Sequence, residues 1–326
     1  PLAASKDDMI GGWSALGQGN DAVSLYEGLT AKLGNASRIV YARGCGIAEE
    51  NRTGFQEAIN AVRKADVILL AMGESRHMSG EASSRACIDL PGVQEDLIKE
   101  IIKLGKPTVL VLFNGRPLVI PWIAEHVPAI LEAWFPGIRG GEAIADILFG
   151  DAVPSGKLVT TFPHSIGQIP LYYNHKNTGR PYSPDSYYTS RYLDETNDPL
   201  FPFGYGLSYT TFAYSGLQLS DSVMTGNKPL TVTVTVTNTG NYDAEEVVQL
   251  YVRDMVGSVT RPVKELKGFK KVPIKKGESV KVSFTLTEAD LRFYDINMNF
   301  VSEPGEFRVY AGGNSRDVLE GSFWLK

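Results

Sequence analysis

Val67-Ile68-Leu69-Leu70-Ala71-Met72 is an unbroken apolar run, and Gly73-Glu74-Ser75-Arg76-His77-Met78-Ser79-Gly80-Glu81-Ala82-Ser83-Ser84-Arg85 follows it directly. A short run of this kind suits a strand buried on both faces, as in a parallel sheet covered by helices. The loop after such a strand emerges at the carboxyl edge of the sheet, where open α/β sheets bind their ligands. Here that loop holds two glutamates, two arginines and a histidine, a concentration of chemistry found in no other segment. Its competing reading is an ordinary polar surface connection.

Working outward, residues 21 to about 150 alternate helix and strand. Ala22, Leu25, Tyr26, Leu29 and Leu33 recur at helical spacing behind an Asp21 cap, with Gly34 as the stop. Arg38 to Ala42 reads as a short strand. Thr53-Gly54-Phe55-Gln56 reads as a capping box opening a helix with Phe55, Ala58, Ile59 and Val62 on its apolar face. Val93, Leu97, Ile98, Ile101 and Ile102 trace a helix ending at Gly105. Thr108–Phe113 and Ala129–Trp134 are further buried strands, and Gly140–Phe149 closes the series as a helix. Such alternation predicts a mainly parallel α/β domain, assigned to residues 1–162.

The texture then changes. Residues 163–212 are rich in Tyr, Pro, Gly and Asn and lack periodicity, which predicts a wrapping linker. In residues 213–326 the period is two: Val232, Val234 and Val236 alternate with threonines, and Val280, Val282, Phe284 and Leu286 alternate with Lys281, Ser283 and Thr285. Val247–Val252 and Phe307–Ala311 are further strands. The expectation is an all-β sandwich, fibronectin type III-like because the Cys…Trp…Cys pattern of antibody domains is missing.

Composition narrows the function. The 326 residues are 43% hydrophobic with a formal charge of -5 and no Lys/Arg-dense block, so no nucleic-acid partner is expected. No apolar run approaches a membrane span, and Pro1-Leu2-Ala3-Ala4 lacks the features of a signal peptide. A chain opening on Pro1 is expected to be part of something larger. Cys45 and Cys87 lie in different loops and fit either free thiols or one disulfide. The four histidines, His77, His126, His164 and His175, have no ligand spacing, so no metal is expected. No Gly-x-Gly-x-x-Gly or Walker loop follows a strand, so no nucleotide cofactor is expected, and no Gly-x-Ser-x-Gly elbow is present. Gly137-Ile138-Arg139-Gly140-Gly141-Glu142 opens a helix, but it has no second phosphate element and reads as a turn.

Carboxylates remain. Glycoside hydrolysis uses a pair, one acid to protonate the leaving oxygen and a second about 5–5.5 Å away as nucleophile, or farther off to activate water. Glu74 and Glu81 are candidates for the acid; nearby cations favour the charged form and burial the neutral one, and sequence does not rank them. Arg76, His77 and Arg85 are candidate substrate-binding residues on the same loop. Trp13, in Gly11-Gly12-Trp13-Ser14, either stacks on a sugar ring or anchors its loop on the core.

A series of motifs carries a resemblance. Met9-Ile10-Gly11-Gly12-Trp13-Ser14, Gly73-Glu74 through Arg85, and Gly105-Lys106-Pro107 to Asn114-Gly115-Arg116-Pro117 occur in order. Ala133-Trp134-Phe135-Pro136-Gly137, Leu148-Phe149-Gly150-Asp151, Pro154-Ser155-Gly156-Lys157-Leu158 and Phe201-Pro202-Phe203-Gly204-Tyr205-Gly206-Leu207-Ser208-Tyr209-Thr210 follow at fitting spacings. Together they resemble the C-terminal two domains of family-3 glycoside hydrolases of the bacterial periplasmic β-glucosidase type. The resemblance implies a six-stranded α/β sandwich, a fibronectin type III-like domain, and an N-terminal barrel that bears the nucleophilic aspartate and is outside this chain. It implies a retaining exo-β-glucosidase acting on β-glucosides or oligosaccharides, periplasmic or secreted, with the isolated chain inactive. It places the acid/base at Glu81, with Glu74 as the alternate. The competing function is a non-catalytic carbohydrate-binding or scaffolding module.

Overall fold

A computed structural model describes residues 1–226 and 228–326. They form two compact units, Pro1–Ala152 with Pro163–Gly167, and Val153–Phe162 with Gln168–Lys326. Residues 168–212, read as a linker, thus belong to the β-rich unit, as do residues 153–162, read as the end of the α/β domain.

The first unit runs α1 (Asp7–Ile10), α2 (Leu25–Leu33), α3 (Phe55–Lys64), β1 (Ile68–Gly73), α4 (Gln94–Ile102), β2 (Thr108–Phe113), α5 (Pro121–His126), β3 (Ala129–Glu132) and α6 (Gly140–Phe149). The sheet is parallel in the order β1-β2-β3, with Ile68 opposite Thr108 and Val109 opposite Ala129. The class is the expected α/β. Its regular sheet has three strands among the described residues, where the resemblance implies six. β2 is central, and Leu110, Val111, Leu112 and Phe113 are all 0% exposed. Burying side chains of this size is worth about 1.5–3 kcal/mol each. Val111 and Phe113 join Ala71 of β1 and Leu25, Leu29, Ile144 and Ala145 of α2 and α6 in one core. α2 and α6 touch through glycines: a Cβ on Gly28 would lie 2.2 Å from the Gly141 carbonyl oxygen, so no larger residue fits without moving the helices.

Local chemistry departs from the sequence reading in four places. The cap of α2 is Ser24, not Asp21. Ser24 Oγ accepts from Glu27 N at 3.2 Å while Ser24 N donates to Glu27 at 2.9 Å, whereas Asp21 ends a separate 3-10 turn. α3 has Gly54 at its N-cap without a side-chain cap, because Thr53 Oγ1 donates to Asn51 instead. Arg38 to Ala42 is not a strand: a 3-10 turn spans Ala36–Arg38, and Val40 and Tyr41 stay 49% and 44% exposed, so pairing brings no burial. β3 is an edge strand, only partly covered, that stops at Glu132 before Trp134 takes φ 49°. Cys45 is buried, Cys87 is exposed, and both are free thiols.

The second unit is mostly β: β4 (Phe212–Leu219), β5 (Val223–Met224), β6 (Leu230–Asn238), β7 (Ala244–Asp254), β8 (Glu265–Ile274), β9 (Ser279–Leu286), β10 (Phe293–Tyr294), β11 (Phe300–Val301), β12 (Gly305–Gly312) and β13 (Val318–Leu325). One sheet has the order β5-β13-β12-β7-β8 and another β4-β6-β9, with β10 and β11 as a separate ribbon. In β6 every valine is buried, and the outward Thr233 and Thr237 hydroxyls pair with Ser283 and Ser279 of β9 at 2.8 and 2.7 Å. The Val/Thr alternation is thereby explained on both faces. Val232, Val234, Leu250, Val252, Phe284, Phe307 and Phe323 share its core.

Candidate active site

In a parallel sheet the loops after β1, β2 and β3 leave from the same carboxyl edge. Gly73, the last residue of β1, has φ 136° and lies so close to Phe113 that a Cβ would be 1.7 Å from its carbonyl oxygen. Only glycine permits this turn, and it aims Glu74 inward.

Glu74 is 0% exposed. Its carboxylate accepts from Arg85 Nη1 at 2.7 Å, Gly115 N at 3.1 Å and Arg116 Nε at 3.4 Å, with Arg116 Nε 3.1 Å from its other oxygen. A buried charge is tolerated only when paired and hydrogen-bonded in this way. Arg85 also donates through Nη2 to Asp89 O at 3.1 Å.

Glu81 has the opposite surroundings. It is exposed at the tip of a turn in which Ser83 N donates to Gly80 O at 3.2 Å and Ala82 adopts φ 57°. Its carboxylate makes no ion pair among the described residues. Glu81 borders a shallow cleft of about 270 Å³ lined by Gly12, Trp13, Arg76, His77, Ser79, Gly80 and Ser83.

Two glycines build the cleft wall. A Cβ on Gly12 would lie 2.7 and 2.9 Å from the Ser79 and Arg76 carbonyl oxygens, so the N-terminal segment and the loop approach backbone to backbone. Arg76 N donates to Asp8 at 2.7 Å, and the Arg76 guanidinium faces Asp7 at 3.5 Å. Trp13 is 74% exposed, so it does not anchor a core, and its indole Nε1 lies beside Gly80. The structure thus brings Trp13, Arg76, His77 and Glu81 together and sets Arg85 and Glu74 apart in a buried ion cluster.

Sequence reading did not single out two further groups. Arg116, on the loop after β2, donates through Nη2 to Ser83 O at 2.8 Å and to Met78 O. Its only signal is its place in Asn114-Gly115-Arg116-Pro117 directly after a buried strand. Glu132, at the end of β3, accepts from Trp134 N at 3.0 Å, and burial pushes its carboxyl up to about 8 against the weaker opposing pull of the Trp134 amide and the Asn114 side chain. A larger depression of about 430 Å³, lined by Arg52, Asp96, Lys99, Lys103, Trp122 and His126, offers less chemistry. Its Arg52 pairs with Asp96, and Trp122 is covered by stacked His126 at 4.3 Å and by Lys99 at 5.0 Å.

The sequence matches the Glycosyl hydrolase family 3 C-terminal domain over residues 2–209 and a Fibronectin type III-like domain over residues 246–315. This chain belongs to glycosyl hydrolase family 3. A periplasmic beta-glucosidase of Salmonella typhimurium is 46% identical, with all of this chain aligned to 45% of that protein. A beta-xylosidase of Formosa agariphila is 44% identical over 94% of this chain and 42% of its own length. The beta-glucosidase of Listeria innocua, solved in complex with glucose, superimposes with a TM-score of 0.93 at 41% identity, covering 100% of this chain and 45% of that one. The family 3 chain therefore spans less than half the length of these relatives. The family and the α/β plus fibronectin-like class expected from the sequence are those found. No helix among the described residues is long and apolar enough to cross a membrane.

Proposed function

We propose that this chain is the acid/base-bearing part of a retaining exo-β-glucosidase, with Glu81 as the acid/base and the nucleophilic aspartate on a barrel domain outside this chain. The observation that carries the assignment is the contrast between the two glutamates: Glu74 is sealed and neutralised by two arginines, and Glu81 is exposed beside Trp13 and His77. A proton donor must reach the glycosidic oxygen, and a fully buried carboxylate held by two arginines and a backbone amide cannot.

In the proposed reaction the aspartate attacks the anomeric carbon as the C–O bond breaks, and the Glu81 carboxyl gives its proton to the departing oxygen. The resulting Glu81 carboxylate then takes a proton from water as that water attacks the glycosyl-enzyme, restoring both groups. Trp13 offers an apolar face to a sugar ring, and His77 and Arg76 offer donors to its hydroxyls. Arg85 is withdrawn from substrate binding in this reading, because its charge is paired with buried Glu74 and it also donates to Asp89 O. A terminal β-D-glucosyl residue is the proposed glycone, in line with the Listeria innocua glucose complex, and the periplasm or exterior is the proposed location, in line with the Salmonella relative.

In the polypeptide that joins the barrel to this chain, Glu81→Gln should lower kcat/KM on a disaccharide by about 10²–10⁴ and on a dinitrophenyl glycoside by less than about 10-fold. Steady-state kinetics on both substrates measure this. Glu74→Gln should instead destabilise the fold by about 3–5 kcal/mol and affect both substrates equally. Equal losses for Glu81→Gln would remove it from the acid/base role. Sugar binding without turnover in the joined polypeptide would favour the binding-module reading.

A further inference from the structure

Resting on the acid/base reading of Glu81, we propose that Arg116 is a positioning residue that holds the Glu81 turn in its productive place. Nothing in the side chain of Arg116 faces the cleft; its action is through the backbone. One edge of the guanidinium faces buried Glu74, Nε lying 3.1 Å from its carboxylate. A second nitrogen, Nη2, donates to two carbonyls of the loop, Met78 O before Glu81 and Ser83 O after it, the latter at 2.8 Å. The excursion that carries Glu81 is therefore closed at its base by one planar group. That group is itself oriented by a fully buried counter-charge.

The surrounding contacts favour the same arrangement. Arg116 O accepts from the buried Asn114 Nδ2 at 2.8 Å, and Gly115 N donates to Glu74 at 3.1 Å, so the segment 114–116 is fixed from below. Ser79 Oγ donates to Gly115 O at 3.3 Å, tying the loop to the same segment. Above that base the turn has few supports of its own: the Ser83 N to Gly80 O bond and Ser83 Oγ donating to Glu81 O at 3.3 Å. A general acid works only within hydrogen-bond reach of the leaving oxygen, and a displacement of about 1 Å can cost about 10²-fold in rate. Lysine at position 116 keeps the charge, but its single nitrogen cannot stand at the Glu74 carboxylate, where Nε lies, and at the two loop carbonyls, which Nη2 reaches, at the same time.

The test is a double-substitution cycle in the full-length enzyme, read on a disaccharide and on a dinitrophenyl glycoside. Arg116→Lys is expected to lower kcat/KM on the disaccharide about 10–10²-fold and to leave kcat/KM on the dinitrophenyl glycoside, whose departure needs no proton, within about 3-fold. In a Glu81→Gln background the same change should cost nothing more on the disaccharide, because a residue that acts only by placing the acid has no effect once the acid is gone. An additive loss in that background, or equal losses on both substrates, would overturn the positioning role while leaving Glu81→Gln to speak for the acid/base itself. If Glu81→Gln alone shows no dependence on the leaving group, both readings fall. Should Arg116→Lys melt below the assay temperature, Arg116→Gln, which retains donors without charge, is carried through the same cycle and judged by the same two outcomes.

Discussion

Glu74 and Glu81 sit seven positions apart on one loop and share a residue type, yet one is fully buried and the other exposed. The motif resemblance favours Glu81, but residue types alone do not separate them, because the difference in burial is made by Arg85 and Arg116, 11 and 42 residues away from Glu74. Glu132 illustrates the same point for a single carboxyl. Its proton is held from an ordinary 4.5 up to about 8 by burial at the end of β3. At pH below about 4.5 the folded and unfolded states both carry the proton; between there and about 8 only the folded state does. Stability must therefore fall as pH rises through that window and level off above it. Glu132→Gln cannot titrate, so its stability relative to the parent should increase from pH 5 to pH 8.5 by a few kcal/mol, at about 1.4 kcal/mol for each tenfold difference in proton affinity between the folded and unfolded states. Urea midpoints at the two pH values measure it, and a pH-independent difference would mean that Glu132 is ionised in the fold.

Helices and strands were legible to the extent that their pattern is local. The apolar period marked α4, β1, β2 and α6 nearly to the residue, and the Val/Thr alternation marked β6 and β9, because each pattern reflects a face the chain must bury. Caps were less legible, since a side-chain oxygen can satisfy any of several nearby amides. Ser24 and Glu27 form the reciprocal pair that opens α2, while Thr53 turns back to Asn51 and leaves α3 uncapped. Ser24→Ala should accordingly cost about 1 kcal/mol, and Thr53→Ala should stay within about 0.5 kcal/mol of the parent. Thermal melts of the two variants compare them directly; equal costs would remove the distinction. The segment from Arg38 to Ala42 has strand-like composition but gains no covered face, and it stays irregular.

Across the whole molecule, the division into two units does not follow the change in sequence texture. Residues 153–162 look like the tail of the α/β domain, but Leu158 N donates to Tyr205 O at 2.8 Å, Gly204 N returns to Leu158 O at 2.8 Å, and Phe162 pairs with Phe201. Lys157 also meets buried Glu246 of β7 at 3.0 Å. A polypeptide beginning at Val153 should therefore melt at a higher temperature than one beginning at Gln168, which leaves Glu246 without its cation; calorimetry of the two pieces tests this, and equal melting would detach 153–162 from the β unit. What the amino-acid sequence determined by itself is the pair of architectures and the loop that carries the chemistry, since periodicity of 3.6 and of 2 is written in neighbouring residues. Only the tertiary structure decided which glutamate is buried among arginines and which is exposed, which arginine is bound to the protein, and where one unit ends. Those outcomes depend on burial and charge pairing between residues far apart in the chain, and no local pattern encodes them.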